Sequence, residues 1–326
     1  MNSWEWGSSP TAKAVSQKSG EPTGTRQVSV LIVAYRTRKL IGACLESLYS
    51  ETSDRVEVVV VDNGSNDGTA ELIMSEFPQV RLLSLSENIG FARAINLAAD
   101  NALGQVLVLL NPDTIVHDNA IVRLAQFANE HPGAGIVGGR TLTPDGTLDP
   151  RSCWGIPTTW SSLCFATGLS TMLRGSRLFN PEGLGRWARD SCRGVGMVSG
   201  CLLAVRRSVW EELGGFDPAF FMYGEDLDLS IRATRLGYRP MITPDAVVTH
   251  LVGGSTTVPT DRMLLILKGR ATVARKHGPR AGVFLLAMGV GVRALIARLA
   301  HRSDVVWPEL WTRRWEWLEG YTMPST

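Results

Sequence analysis

Val28-Ser29-Val30-Leu31-Ile32-Val33-Ala34 is an almost uninterrupted apolar, β-branched run, and Leu40, Ile41, Cys44, Leu45 and Leu48 follow it at helical spacing. A strand buried on both faces reads as such a run and an amphipathic helix as such a spacing, so the pair is a strand and then a helix. The alternation repeats with Val56–Val61, a helix over 69–77, Val80–Ser84, a helix over 90–102 and Val106–Leu110. Apolar strands separated by amphipathic helices predict an open, Rossmann-like α/β fold with a mostly parallel sheet flanked by helices.

Ligands of such sheets collect beyond the carboxyl ends of the strands. Here those ends read Ala34-Tyr35-Arg36, Asp62-Asn63-Gly64-Ser65-Asn66-Asp67-Gly68, Glu87-Asn88-Ile89-Gly90 and Asn111-Pro112-Asp113. Turn chemistry alone accounts for a segment such as Asn66-Asp67-Gly68, because Asn, Asp and Gly tolerate positive φ. Asp113 demands more, since a carboxylate at the end of a buried strand must find a cation or hydrogen-bond donors. No Gly-x-Gly-x-x-Gly follows the first strand and no Gly-x-x-x-x-Gly-Lys-Ser/Thr occurs, so dinucleotide and P-loop sites are not supported.

The second half changes character. Residues 140–195 are rich in Gly, Pro, Trp and Arg with little periodicity, a long irregular region of the kind that serves function or moves. Val195–Arg206 reads as a strand with Gly200 inside it, and a short helix near Ser208–Leu213 leads to Gly214-Gly215-Phe216-Asp217. Phe220-Phe221-Met222-Tyr223-Gly224 then opens a helix whose first turn holds Glu225, Asp226 and Asp228. The helix dipole favours acids there, but it explains one of them rather than all three.

The six segments Val28–Tyr35, Val60–Thr69, Asn88–Phe91, Asn111–Thr114, Gly214–Asp217 and Gly224–Leu229, in this order over residues 28–255, resemble family 2 glycosyltransferases. More narrowly they are similar to the bacterial rhamnosyltransferase-like branch. The resemblance implies an A-type glycosyltransferase fold over 27–258, with a nucleotide-binding half at 27–115 and an acceptor-binding half at 116–258. It implies sugar transfer from a nucleoside diphosphate to an acceptor hydroxyl, with rhamnose from dTDP-rhamnose as the expected donor and a UDP-sugar (galactofuranose, glucose or an N-acetylhexosamine) as the alternative. Nucleotide contacts fall to Ala34, Tyr35, Asp62, Asn63, Ser65, Asn88, Gly90, Asn111 and Asp113, with Asp62 accepting from the imide N–H of uracil or thymine. The family's Asp-x-Asp metal motif maps to Asn111-Pro112-Asp113, so Asp113 is left as its one carboxylate ligand for Mg²⁺ or Mn²⁺, with His250 completing the metal or phosphate site. Gly253, Gly254 and Ser255 would form a flap over the diphosphate. Asp226 is the expected general base, with Glu225 as helper, for displacement with inversion. A sugar-nucleotide-binding scaffold of weak activity is the reading from another class, permitted by Asn111 and opposed by the intact Glu225-Asp226 pair.

Charge divides unevenly. The net charge of +2, from 33 Lys and Arg against 31 Asp and Glu, conceals nine basic and no acidic residues between Arg262 and Arg302. With 44% apolar and 20% charged residues the composition is globular. The basic segment reads as two helices broken at Gly278-Pro279, and Trp307, Trp311 and Trp315 follow at spacings of four, which would set three indoles on one helical face. Residues 259–326 are thus expected to form a basic, amphipathic helical region. Bases beside apolar and indole faces suit an anionic membrane surface, and hence a polyprenyl-linked or polysaccharide acceptor in cell-envelope glycan synthesis. The other reading packs these helices on the catalytic domain or on a second copy of the chain, so self-association is open. No nucleic-acid-binding module accompanies the charge.

Five cysteines without a Cys-x-x-Cys pair indicate neither a disulfide framework nor a zinc ribbon, and point to a reducing compartment. Residues 1–26 carry no signal-peptide pattern and read as disordered. The longest apolar run, Ala281–Val292, is about half the length of a spanning helix. The expected location is cytoplasmic, peripheral on the inner face of the plasma membrane.

Overall fold

The computed structural model describes residues 13–14, 27–52, 56–251, 259–279, 281–299 and 306–322. Most of the expected disorder over 1–26 and the flap at 253–255 lie outside these residues. Within them Lys13–Ala14 forms a short edge strand, β1, paired antiparallel with residues 83–84.

The predicted alternation is present as β2 (Val28–Ala34), α1 (Arg38–Glu51), β3 (Val56–Asp62), α2 (Thr69–Glu76), β4 (Arg81–Ser84), α3 (Phe91–Asp100) and β5 (Val106–Leu110). β2 pairs in parallel with β3 and β5, and β3 with β4. Every residue of β2 is buried, as its composition requires. Alternate side chains point to opposite faces. Val30 and Ile32 join the core under α1, α2 and the later helix α4, whereas Leu31 and Val33 join the core under α3 and the later helices α7 and α8.

The chain continues through β6 (Thr114–His117), α4 (Ala120–Glu130), β7 (Ile136–Leu142), β8 (Cys153–Trp154), α5 (Thr159–Ala166), α6 (Leu169–Met172), β9 (Arg193–Gly194) and β10 (Met197–Val198). β11 (Leu202–Arg206), α7 (Arg207–Leu213), α8 (Glu225–Arg235) and β12 (Met241–His250) complete the sheet region. The strand order β1-β4-β3-β2-β5-β11-β7-β12-β6 unites both halves in one sheet. It is mixed, because β11 runs antiparallel to both β5 and β7, and β6 antiparallel to β12. The single strand expected over Val195–Arg206 is broken: β10 leaves to pair with β8, and Gly200 lies in the turn before β11.

The basic C-terminal region folds as α9 (Pro259–His277), α10 (Gly282–Leu299), α11 (Val306–Thr312) and α12 (Trp315–Leu318) around its own core of Leu264, Leu267, Leu286, Val290, Leu310 and Trp317. α10 is long and apolar enough by length and composition to cross a membrane, exceeding the stretch read from the sequence, and a third of it is buried inside the fold. The expected face of three indoles does not form, since the chain turns between α11 and α12. Trp307 lines a cleft beside Arg293, Trp311 packs on Gly291, and Trp315 is 68% exposed.

Much of the basic charge binds protein. Arg270 pairs with Glu182 at 2.8 Å, Arg275 donates to the Leu318 carbonyl at 2.9 Å, and Arg293 donates to the Phe165 carbonyl at 2.7 Å. The tightest junction surrounds Asp228, which has no solvent exposure. Arg232 Nε, Lys276 Nζ and His277 Nε2 each lie 2.7 Å from its carboxylate, and Lys276 also reaches Asp217. Burial alone would raise this carboxyl, but Lys276, Arg232 and His277 hold it below its ordinary value. Removing one side of a buried ion pair strands the other. Asp228→Ala should therefore lower unfolding free energy by roughly 3–5 kcal/mol, measured by urea titration; a loss within that of a surface substitution would refute this role.

Candidate active site

A cleft of about 620 Å³ runs along the carboxyl ends of the central strands and is closed on one side by α9. Tyr35, Asn63, Asn88, Asn111, Asp113, Glu225, Asp226 and His250 all line it, so residues far apart in sequence are brought together. Ala34, Asp62, Ser65 and Gly90 are not among its lining residues. Asp62 is only 1% exposed and accepts a hydrogen bond from the Ser65 N–H at 3.3 Å; burial raises its carboxyl. In this conformation its Oδ1 braces its own turn. Ser65 Oγ accepts from the Arg36 N–H at 2.8 Å, which ties the β3 turn to the end of β2.

The amides of Asn63 and Asn88 also hold loops in place. Asn63 Nδ2 donates to Asn88 Oδ1 at 3.0 Å while its Oδ1 accepts from the Ile89 N–H at 3.0 Å, and Asn88 Oδ1 accepts from the Gly90 N–H at 2.9 Å. Gly90 has φ +86°, and a Cβ there would strike the Phe221 carbonyl. That close approach lets the Phe91 N–H donate to Phe221 O at 2.7 Å, so the loop after β4 positions the loop that carries the acids of α8.

Asp113 and His250 meet because β6 and β12 pair antiparallel, with Thr114 opposite His250. His250 Nε2 lies 3.2 Å from Asp113 Oδ1, and its Nδ1 lies 3.6 Å from Asp149 Oδ2. Burial opposes a charge on the imidazole, but these two carboxylates outweigh it and raise His250 to about 9. Asp149 is itself fixed by two hydrogen bonds from Arg151, at 2.7 and 2.8 Å, and is held below the usual carboxylate range despite its burial. A carboxylate behind one imidazole nitrogen, with the other nitrogen facing an acid, is a recurrent metal-ligand arrangement. Asp113 and His250 would hold a divalent ion if the ion displaced the proton that the two carboxylates otherwise keep on the imidazole, with the rest of its coordination coming from outside the protein. Among the described residues no group of three or more His, Cys, Asp or Glu is arranged to hold a metal. The protein would supply only part of the coordination.

Glu225 and Asp226 open α8 after Gly224, whose φ is +101°. α9 packs directly on this turn: a Cβ on Gly269 would collide with the Tyr223 carbonyl. Tyr321 closes it from the other side, its hydroxyl donating to Met222 O at 2.7 Å. Asp226 faces the cleft and accepts from the N–H groups of Leu227 at 2.8 Å and Gly200 at 3.4 Å. Burial raises it to about 6, against the pull of those donors. Glu225 is 5% exposed, its Oε2 has no hydrogen-bond partner, and burial together with the adjacent Asp226 pushes it well above the usual range. Of two adjacent acids, the one with donors ionises more readily than the one without.

The sequence does not single out Asp149 and Arg151, which lie in the irregular region, nor Arg262, Arg270 and Lys276 within the basic segment. The one available signal was the acid-Pro-base triplet Asp149-Pro150-Arg151.

A mixed α/β sheet that gathers amides, a carboxylate–histidine pair and two acids at its strand ends is the frame of an A-type glycosyltransferase. The profile of Glycosyl transferase family 2 matches residues 29–214, and the chain belongs to this family of glycosyltransferases. It is 31% identical over 258 residues to an N-acetylglucosaminyl-diphospho-decaprenol L-rhamnosyltransferase of Mycobacterium tuberculosis, covering 71% of this chain and 78% of that one. It is 27% identical to the O-antigen biosynthesis protein RfbC of Myxococcus xanthus over 70% of this chain and 17% of that one. Among solved structures, the mannosyltransferase PcManGT of Pyrobaculum calidifontis, in complex with GDP-Man and Mn²⁺, superposes with TM-score 0.55 at 20% identity over 90% of this chain and 84% of that one. GalNAc-T7 with UDP, GalNAc and Mn²⁺ gives TM-score 0.57 at 18% identity over 90% of this chain and 55% of that one.

Asp149 makes a test of the carboxylate–histidine arrangement, because it stands on the Nδ1 side of His250 while Asp113 faces Nε2. Asp149→Asn should weaken Mn²⁺ binding in the presence of nucleoside diphosphate by roughly 10–100-fold, followed by the electron paramagnetic resonance of free Mn²⁺. Unchanged affinity would remove His250 from the metal site.

Proposed function

We propose that the chain transfers a sugar, with rhamnose from dTDP-rhamnose as the donor, onto a hydroxyl of a saccharide carried by a polyprenyl diphosphate, with inversion at the anomeric carbon. The observation that carries this reading is the pair of unlike acids opening α8: Asp226 donor-supported and facing the cleft, Glu225 buried without a partner. The likeness to the mycobacterial rhamnosyltransferase supports the donor and the acceptor class.

The acceptor oxygen would bond to the anomeric carbon as the bond from that carbon to the diphosphate oxygen breaks. The electron pair leaves with the nucleoside diphosphate, and the hydroxyl proton passes to Asp226. Glu225, uncharged, leaves Asp226 without a competing negative charge at its side. An ion held by Asp113 and His250 would supply electrostatic stabilisation of charge on the diphosphate. Asn63, Asn88 and Gly90 keep the strand-end loops at fixed distance from the acids, and positioning of this kind carries a large share of the barrier reduction. Asn111 offers the cleft an amide rather than a second carboxylate. The site of action proposed is the cytoplasmic face of the membrane.

Asp226→Asn should bind donor as the parent does and lose transfer by roughly 10²–10⁴-fold, measured by single-turnover transfer beside donor titration. A base acts only when ionised, so kcat of the parent should rise with pH through about 6 and fall below it. Retained transfer in Asp226→Asn, with Glu225→Gln inactive, would move the base to Glu225.

A further inference from the structure

Residues 159–186 form an excursion from the sheet whose two sides differ. Ser161, Phe165, Ser170 and Asn180 line the cleft. The outer side exposes Trp160 at 42%, Leu163 at 39%, Met172 at 81%, Leu173 at 42% and Leu178 at 62%. A single exposed apolar side chain is ordinary, but five large ones within 19 residues form a patch of the kind that marks an interaction surface. Arg174, Arg177 and Arg186 are exposed in the same stretch, whose single acid, Glu182, is paired with Arg270.

α10 extends this surface. Arg293 donates to the Phe165 carbonyl and to Thr171 Oγ1, at 2.7 and 2.8 Å, and so ties the helix to α5 and α6. Beyond that tie Leu295, Ile296 and Leu299 are 57%, 53% and 71% exposed, with Arg298 beside them and also exposed. Burial of Arg293 among aromatic rings lowers it to about 10, and it remains charged at neutral pH.

We propose that the outer side of residues 159–186, together with the end of α10, docks on an anionic lipid bilayer, and that the catalytic cleft meets its acceptor across this surface. The proposal rests on the polyprenyl-linked acceptor named above. Charge decides the occupant. Exposed bases interspersed with exposed Trp, Leu and Met match an anionic interface, in which apolar side chains enter the headgroup boundary and the bases meet lipid phosphates. The cleft continues the same character inward. Ile266 of α9 stands on its wall between Arg262 and Arg270, with Phe165 and Trp307 facing the same space. A lipid diphosphate has this sequence of properties: an apolar tail, then two negative phosphates, then the sugar that must reach Asp226. Membrane contact is thereby assigned to the excursion and the end of α10, while much of the basic charge of α9 holds the fold together.

Flotation of the full chain with vesicles of phosphatidylcholine, with and without phosphatidylglycerol, tests the surface. Binding should require the anionic lipid, and Arg174→Glu/Arg177→Glu or Met172→Asp/Leu178→Asp should each weaken it roughly tenfold or more. Hydrolysis of donor without acceptor should be unchanged in both variants, which shows that the fold and the nucleotide site survive. Parent-like flotation of both variants would overturn the assignment of the surface. So would absence of parent binding, or dimerisation without lipid that these substitutions abolish, which would give the surface to a second copy. Failure of the parent to glycosylate a polyprenyl-diphosphate saccharide in detergent, with flotation intact, would instead overturn the acceptor reading alone.

Discussion

A carboxylate without solvent exposure stays ionised only if cations replace its water, and Asp228 is held by three donors from two helices. Arg232 belongs to α8 itself and also donates to the carbonyls of Leu213 and Gly215, fixing the Gly-Gly turn. Lys276 and His277 come from the far end of α9. Asp226, the base proposed above, stands two residues before Asp228, on the first turn of the same helix. Its position is therefore set by the contact between the sheet domain and the C-terminal helices. The family profile ends at residue 214, so the acids of α8 and the helices that brace them lie beyond the part matched most generally. Gly269 packed on Tyr223 and Tyr321 bonded to Met222 make the same junction from two further directions.

Three acids in one helical turn thus have three different environments. Asp228, surrounded by cations, is lowered; Asp226, with two N–H donors, rises to about 6; Glu225, with an orphaned oxygen, rises further. The helix dipole acts on all three and cannot produce this spread. What separates them is what each side chain meets: Asp228 meets the cations of α8 and α9, Asp226 faces the cleft with two N–H donors, and Glu225 lines the same cleft nearly buried with one oxygen unpartnered. Burying an acid without partners destabilises the fold locally, and such strain is tolerated where it makes a neighbouring group useful.

The fold was legible because its signal is local. Val28–Ala34 and the helix after it carry their burial in their own composition, and Ile41, Cys44, Leu45 and Leu48 are all buried as their spacing requires. Asp113, His250, Glu225 and Asp226 were legible as candidates because acids and imidazole at strand and helix ends need explaining, and the structure gathers all four on one cleft. The reading was weakest where one residue type serves two purposes. Asp62, Ser65 and Gly90 read as ligand contacts at a strand end, and in the structure their polar groups and backbone also hold the loops in place. Lys276 and Arg293 look like surface bases in a charged run, and only the tertiary partners Asp228 and Phe165 distinguish a brace from a lipid contact. Periodicity cannot supply that distinction, because both uses place a long cationic side chain beside apolar neighbours.

The Asn at position 111 takes on a physical meaning in this setting. Its backbone is committed: the N–H donates to the Cys201 carbonyl at 3.0 Å, and its own carbonyl accepts from Thr114 Oγ1 at 2.7 Å. The turn that presents Asp113 is thus held whatever side chain position 111 carries. The nearby charges are Asp113 and Asp149 on either side of His250, with Arg151 bound to Asp149. A carboxylate at 111 would add negative charge to a cleft already lined by Asp113 and Asp149, and would repel the diphosphate of the proposed donor. An amide keeps hydrogen-bonding capacity without that repulsion. On the proposed reading, the carboxylate missing from position 111 is offset in space by the imidazole of His250, brought beside Asp113 on β12, a partner that linear spacing around Asp113 could not reveal.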